Sequence, residues 1–256
     1  MRNRRIVITR DKSQAESLAR RIKELGGKAI FFPTIEIREP DDWQACDAAL
    51  SGLRSYDWVV FTSVNGVNYF FDRLNELNLS GESFKVAAVG KRTAEALEKR
   101  GRKADLVPDE HTASGLLNAF SALELRGARF LLPTSNIAYR RLPEGLIELG
   151  ARVDKLVVYH TVANRSVDAE SMRMQIKNDE IDCLTFFSPS AFNYFIEIVG
   201  EPIVEDIKKS AVTIAAIGPT TSKAIAKLNL NVDVVPDRSL VEDFVEALAA
   251  FYSNRN

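Results

Sequence analysis

Short apolar runs alternate along this chain with longer stretches whose apolar positions fall at helical spacing. Ile6-Val7-Ile8-Thr9 reads as a buried strand. Behind it Ala15, Leu18, Ala19, Ile22 and Leu25 recur every three or four residues and stop at Gly26-Gly27, the pattern of an amphipathic helix closed by glycine. The same alternation predicts further strands over 29–32, 58–61, 86–89, 130–132, 153–157, 183–187 and 213–217. Helices are predicted over 13–25, 64–77, 92–100, 139–149, 189–199 and 220–228. Strand followed by helix, repeated, implies parallel sheets with helices on both faces. The expected fold class is α/β, each lobe a doubly wound parallel sheet of flavodoxin-like type.

Two segments break the rhythm. Ile35-Glu36-Ile37-Arg38-Glu39 and Tyr159-His160-Thr161-Val162-Ala163 are extended in character, and each follows the second strand of its half. They suit edge strands within each lobe, or a pair of crossover linkers that take the chain out of one lobe and back. Periodicity does not choose between the two.

The chain also repeats itself. Thr62-Ser63-Val64-Asn65-Gly66-Val67-Asn68-Tyr69-Phe70 recurs as Phe187-Ser188-Pro189-Ser190-Ala191-Phe192-Asn193-Tyr194-Phe195, and Val86-Ala87-Ala88-Val89-Gly90 as Ile214-Ala215-Ala216-Ile217-Gly218. Leu25-Gly26-Gly27 matches Leu149-Gly150-Ala151, and Asp105-Leu106-Val107-Pro108 matches Asp233-Val234-Val235-Pro236. A unit of about half the chain is far longer than the roughly 20–50 residues of solenoid repeats. It is a duplicated domain, and two related lobes imply a cleft for a small ligand.

Composition narrows the chemistry. The 256 residues suffice for two domains, and 46% hydrophobic with 27% charged residues is a globular balance. Lys+Arg (34) nearly cancels Asp+Glu (35), so no global field draws nucleic acid and any polyanion must be held locally. The apolar run behind the basic start Met1-Arg2-Asn3-Arg4-Arg5 is too short for a signal peptide, and nothing approaches a membrane-spanning length. A cytoplasmic protein is expected. Cys46 and Cys183 are isolated and read as packing residues. His111 and His160 form no metal-binding spacing, so a zinc site or Ser-His-Asp triad lacks its parts. No GxGxxG or GxxxxGK[ST] occurs either.

In a doubly wound sheet, ligands bind beyond the carboxyl ends of the strands. Six predicted strand-to-helix turns there are rich in hydroxyls: Thr9-Arg10, Thr62-Ser63, Gly90-Lys91-Arg92-Thr93, Thr134-Ser135-Asn136, Ser188-Pro189-Ser190 and Gly218-Pro219-Thr220-Thr221. Taken singly, each reads as a helix N-cap. Together they suggest a ligand with several anionic groups, held by helix N-terminal N–H groups. Gly90 and Gly218 would let backbone approach that ligand. Arg10, Lys91, Arg140 and Arg141 lie near turns or helix starts and could add charge, although for Lys91 and Arg141 a solvated helix surface is the stronger reading. Tyr159 suits a core or hinge aromatic, or a phenol that donates a proton.

These residues together resemble the uroporphyrinogen-III synthase family. The resemblance spans essentially the whole chain. It is carried by Ile8-Thr9-Arg10, the Thr-Ser turn after 58–61, Val157-Val158-Tyr159-His160-Thr161, Phe186-Phe187-Ser188-Pro189-Ser190 and Ala215-Ala216-Ile217-Gly218-Pro219-Thr220-Thr221. It implies interleaved domains, 1–35 with 165–256 and 40–158, joined by a two-stranded β linker at 36–39 and 159–164. It also implies the substrate hydroxymethylbilane, a linear tetrapyrrole octacarboxylate, which loses its terminal hydroxyl as water. Ring D is then inverted through a spiro intermediate and the macrocycle closes, with no cofactor and no metal. Tyr159 matches the family position that assists departure of the hydroxyl. Ser63, Thr93, Ser188, Thr220 and Thr221 match positions that hold substrate. A monomer is expected, with possible transient contact with the preceding pathway enzyme. Two rival readings remain at this level: a bilobal sensor for an anionic metabolite, which would not need Tyr159, and a phosphate-handling transferase, which lacks its nucleotide motifs.

Overall fold

The computed structural model describes residues 1–79, 84–137 and 140–254. The first elements are β1 (Arg5–Ile8), α1 (Lys12–Glu24), β2 (Lys28–Phe31), β3 (Ile35–Arg38), α2 (Gln44–Ser51) and a 3-10 turn (Leu53–Ser55). Then come β4 (Trp58–Phe61), α3 (Val64–Glu76), β5 (Lys85–Ala88), α4 (Lys91–Lys99), α5 (Ala113–Ser121), β6 (Arg129–Ser135) and α6 (Arg141–Glu148). The last are β7 (Arg152–Ala163), α7 (Ala169–Lys177), β8 (Cys183–Phe186), α8 (Pro189–Val199), α9 (Ile203–Lys209), β9 (Thr213–Ala216), α10 (Pro219–Ala226) and α11 (Val241–Ser253).

The chain folds as mixed α/β with parallel sheets. It divides into two compact units, Met1–Glu36 with Val162–Asn256, and Ile37–Thr161. One sheet has the order β2-β1-β8-β9 and the other β3-β7-β6-β4-β5. The pairs β1–β2, β1–β8, β8–β9, β4–β5, β4–β6 and β6–β7 are all parallel. Isolated parallel bridges add Val234 beside Ala215 and Leu106 beside Ala87.

The short strands are apolar throughout because both faces of each sheet are covered. Val59 and Phe61 pack with residues of α2, α3 and α4, while their neighbours Trp58 and Val60 pack with α5 and α6. In the other unit Val7 packs with α7, α8, α9 and α10, whereas Ile6 and Ile8 pack with α1 and α11. The period-2 alternation of a strand thus feeds two separate cores per sheet.

The duplication is visible element by element. β4 and β8 begin 125 residues apart (58 and 183), as do α2 and α7 (44 and 169) and α3 and α8 (64 and 189). β5 and β9 begin 128 apart (85 and 213), as do α4 and α10 and α5 and α11, while β1 and β6 begin 124 apart. Hydrogen bonds repeat too: Asp105 and Asp233 accept from the backbone N–H of Val86 and Ile214 at 2.7 and 2.8 Å. Asp182 and Asp57 likewise accept from Arg5 and Arg129 N–H, both at 2.8 Å.

The extended segment 159–163 is not separate from the strand predicted at 153–157. Both belong to the single strand β7, which lies next to β3 in the sheet. The helix predicted to begin at Tyr139 starts outside the described residues, and α6 runs from Arg141. Helices α2, α5, α7, α9 and α11 fill stretches for which no element was predicted. Among the described residues no helix is long and apolar enough to cross a membrane.

Candidate functional site

Because the strands run parallel, the turns that leave their carboxyl ends gather at one edge of each sheet. In the unit Ile37–Thr161 these are β4–α3, β5–α4 and β6–α6; in the other they are β1–α1, β8–α8 and β9–α10. All six hydroxyl-rich turns of the sequence lie there.

The β4–α3 turn carries the most defined chemistry. Ser63 is the N-cap of α3, extended at φ −153°, and its Oγ accepts from the Gly66 N–H at 2.9 Å. The same Oγ lies 3.1 Å from the Tyr159 hydroxyl, and either atom can donate. Tyr159 is 8% exposed, and its ring stacks on that of Tyr69 with centroids 5.7 Å apart and planes 21° apart.

A register shift explains how Tyr159 reaches Ser63. Along β6–β7, Thr134 pairs with Val157 but Ser135 pairs with Tyr159, so β7 carries one extra residue. A bulge breaks the alternation of faces. Val158 and Tyr159 are consecutive, yet both join the core cluster that contains α3. Ser135, 8% exposed, is therefore the cross-strand neighbour of Tyr159. Asn136 closes the same end: its side chain accepts from Thr161 N–H at 2.8 Å and donates to Thr161 C=O at 3.3 Å.

The β5–α4 turn begins at Gly90, which caps α4 without a side-chain hydrogen bond. Its φ of −175° suits any residue. The reason for glycine is packing, since a Cβ there would sit 2.8 Å from His111 Cβ and 2.9 Å from His111 Cγ. Gly218 repeats this at the start of α10, where an added Cβ would meet Ser239 Oγ, and residues 111 and 239 are again 128 apart. These glycines, expected to let backbone approach a ligand, have a packing reason as well. Thr93 and Thr221, also 128 apart, are both buried in the first helical turn. Thr62, Lys91, Arg140, Pro219 and Thr220 are exposed.

In the unit completed by residues 162–256, Ser188 caps α8 by accepting from Ala191 N–H at 3.1 Å, and its Oγ lies 2.9 Å from Ser190 Oγ. Arg10 places its guanidinium 4.7 Å from the centre of the Phe187 ring. Thr9 is fully buried and its hydroxyl donates to Thr185 C=O at 2.6 Å, so it ties β1 to β8.

Tyr69 and His111 were not singled out from the sequence. Tyr69 sits inside the repeated phrase, and its burial, with Glu39 and Asp72 nearby, raises its pKa above the ordinary 10. Cys46 is buried and its thiol is pushed up to about 12, chiefly by that burial. Burial raises the Cys183 thiol as well, so both thiols are held toward the protonated, weakly nucleophilic form. Among the described residues no group of three or more His, Cys, Asp or Glu could hold a metal ion.

A family model described as uroporphyrinogen-III synthase HemD matches residues 16–246. A uroporphyrinogen-III synthase of Chlorobaculum parvum is 32% identical over 250 residues, which cover 95% of this chain and 97% of that protein. A putative uroporphyrinogen-III synthase of Methanocaldococcus jannaschii is 32% identical over 248 residues, covering 95% and 97%. Among solved structures, a mutant uroporphyrinogen III synthase of Thermus thermophilus aligns with a TM-score of 0.70 at 18% identity, covering 98% of this chain and 99% of that one.

Proposed function

The chain belongs to the uroporphyrinogen-III synthase family, cyclising lyases of haem biosynthesis that act on a tetrapyrrole, and we propose that Tyr159 is its catalytic residue. The reaction is closure of hydroxymethylbilane to uroporphyrinogen III with loss of water. In this reading the phenol of Tyr159 donates a proton as the terminal C–O bond breaks, so that hydroxide leaves as water. Ring D bonds to the freed methylene carbon through its substituted α-carbon to give the spiro intermediate. The bond from that α-carbon to its original bridge then breaks and re-forms at ring D's free α-carbon, and the proton lost there restores the phenol. The observation that carries the assignment is the Tyr159–Ser63 contact of 3.1 Å at the carboxyl edge of the sheet, where the bulge aims a phenol among hydroxyl-rich turns.

The substrate's carboxylates are assigned to those turns: Arg10, Thr62, Ser63, Gly90 to Thr93 with Lys91, Ser135, Arg140, Ser188, Ser190 and Gly218 to Thr221 with Pro219. Helix starts without side-chain caps, at α4 and α10, supply N–H groups and positive dipole ends for this purpose. Thr9 is left out, since its hydroxyl already serves the sheet. With no strong acid–base pair, catalysis rests mostly on folding and orienting the substrate, which can supply up to about 7–11 kcal/mol.

The architecture assigned is two flavodoxin-like doubly wound domains, 1–35 with 165–256 and 40–158, joined by the extended segments 36–39 and 159–164. Equal element spacing in the two units and separate cores on the two faces of each sheet support it. A cytoplasmic monomer that receives its substrate by transient contact with the preceding enzyme completes the reading. The test is to supply enzymatically generated hydroxymethylbilane and separate the product isomers. Type III is expected, and type I alone, the spontaneous product, would sink the reading.

A further inference from the structure

We infer that α3 is the positioning element for Tyr159, with Tyr69 and Ser63 acting on the reaction through the phenol; this rests on Tyr159 being the catalytic residue. Two constraints on one side chain come from a single helix. Ser63, its N-cap, holds the phenol oxygen at 3.1 Å, and Tyr69, nearly two turns on, lies against the ring at 5.7 Å between centroids. The bulge after Thr134 turns Tyr159 toward this helix. A phenol fixed at both ring and oxygen is oriented before substrate arrives, and orientation is where this active site has most to gain.

Ser63 can also follow the phenol through its proton transfer. Its Oγ is anchored by the Gly66 N–H at 2.9 Å, which leaves its own hydrogen and a second lone pair for Tyr159. Either oxygen can donate in the resting contact, and once the phenol has given up its proton Ser63 donates to the phenolate. The chain Gly66 N–H, Ser63 O–H, phenolate then runs from the positive end of α3, and each bond polarises the next.

The duplication supplies an internal control. Ser188 and Tyr194 stand 125 residues after Ser63 and Tyr69, on the equivalent helix α8. The residue 124 before Tyr159, the offset of the matching strands, is Ile35. Ser188 caps its helix just as Ser63 does, but its Oγ faces Ser190 Oγ. Capping alone accounts for the serine in both copies; the 3.1 Å contact with the Tyr159 phenol belongs to Ser63.

The experiment labels tyrosine with 13C at Cζ and assigns Tyr159 by its loss in Tyr159→Phe. The Tyr159 resonance is expected to shift in Ser63→Ala and in Tyr69→Leu and to stay in place in Tyr194→Leu. In steady-state assays Ser63→Ala and Tyr69→Leu should each lower kcat about 10-fold, the size of one lost hydrogen bond or ring contact, with KM within about 2-fold in Tyr69→Leu, which touches no substrate. Tyr69→Phe should recover most of the Tyr69→Leu loss, and Ser63→Ala should cost nothing further in a Tyr159→Phe background. An unmoved resonance overturns the inference, as does a loss confined to KM or an additive loss in the double variant. The resonance needs no turnover, so a wild-type protein that yields only type I product would fail the functional reading without touching this result.

Discussion

Replacing Tyr159 with phenylalanine separates chemistry from packing, because the structure bounds the packing part. The variant keeps the ring, its place in the core cluster and its stack on Tyr69. It removes one hydroxyl and one contact of 3.1 Å. Ser63 keeps its bond from the Gly66 N–H and is only half-buried, so little polarity is stranded. A neutral hydrogen bond of this kind contributes about 0.5–1.5 kcal/mol. At about 2–4 °C per kcal/mol that lowers Tm by about 1–6 °C, a small part of a typical stability of about 5–15 kcal/mol. Turnover is expected to fall about 100-fold, the low end of acid–base contributions, which corresponds to about 2.7 kcal/mol. Single-turnover assays with hydroxymethylbilane beside a circular-dichroism melt measure both quantities on one sample. Turnover within about 3-fold of wild type, with the melt unchanged, would remove the catalytic role. A Tm drop beyond about 10 °C would show that the hydroxyl supports the fold instead.

Other outcomes follow from single contacts. Burial raises the Asp182 pKa, but the Arg5 N–H and the Arg4 and Arg5 guanidinium groups outweigh it and hold the carboxyl below its ordinary 3.8. Its stabilisation is therefore present above that value and lost as pH falls through the folded one. Asp182→Asn should cost about 1–2 kcal/mol at neutral pH and flatten the acid limb of stability against pH in urea titrations; an unchanged limb would contradict this. Gly90→Ala should destabilise by about 1–3 kcal/mol, more than Gly218→Ala, because the His111 Cβ cannot rotate away and the Ser239 hydroxyl can; equal melts for the two would refute the packing account. With both thiols buried and raised in pKa, a disulfide reagent at pH 8 should label Cys46 and Cys183 only after denaturation.

The strands were legible because burial on two faces leaves nothing but apolar residues: β4 spans the predicted 58–61 residue for residue. Helix α5, Ala-Ser-Gly-Leu-Leu-Asn-Ala-Phe-Ser, was not, since glycine, serine and asparagine are weak helix formers. Its start is set by Thr112, whose hydroxyl accepts from Gly115 N–H, and its length by packing on the sheet. The repeat gave no help there, since α5 and α11 lie 128 residues apart and α2 and α7 lie 125 apart, and none of the four was predicted. At the site, Tyr159 could be named as a candidate but not aimed. The register shift beside Ser135 that turns it toward α3 is a property of two strands together, and no single stretch of residues encodes it. Tyr69 escaped notice for the same reason, as its partner lies 90 positions away. Thr9 looked like a turn hydroxyl and proved to be a bond between strands.

The neighbours of β1 carry a consequence for synthesis. β1 pairs with β8, so Val7 waits for Leu184, while the whole of 37–161 is made in between. That middle unit is contiguous and closes on nearer contacts; the outer unit depends on the longest-range strand pairing among the described residues. Long loops make such pairings slow, and domains complete in chain order as they leave the ribosome. The first two strands must therefore stay unpaired on β1's inner edge until the other half of their sheet is translated, a nascent chain with an apolar edge to shield, and the insertion that separates them is finished before its host.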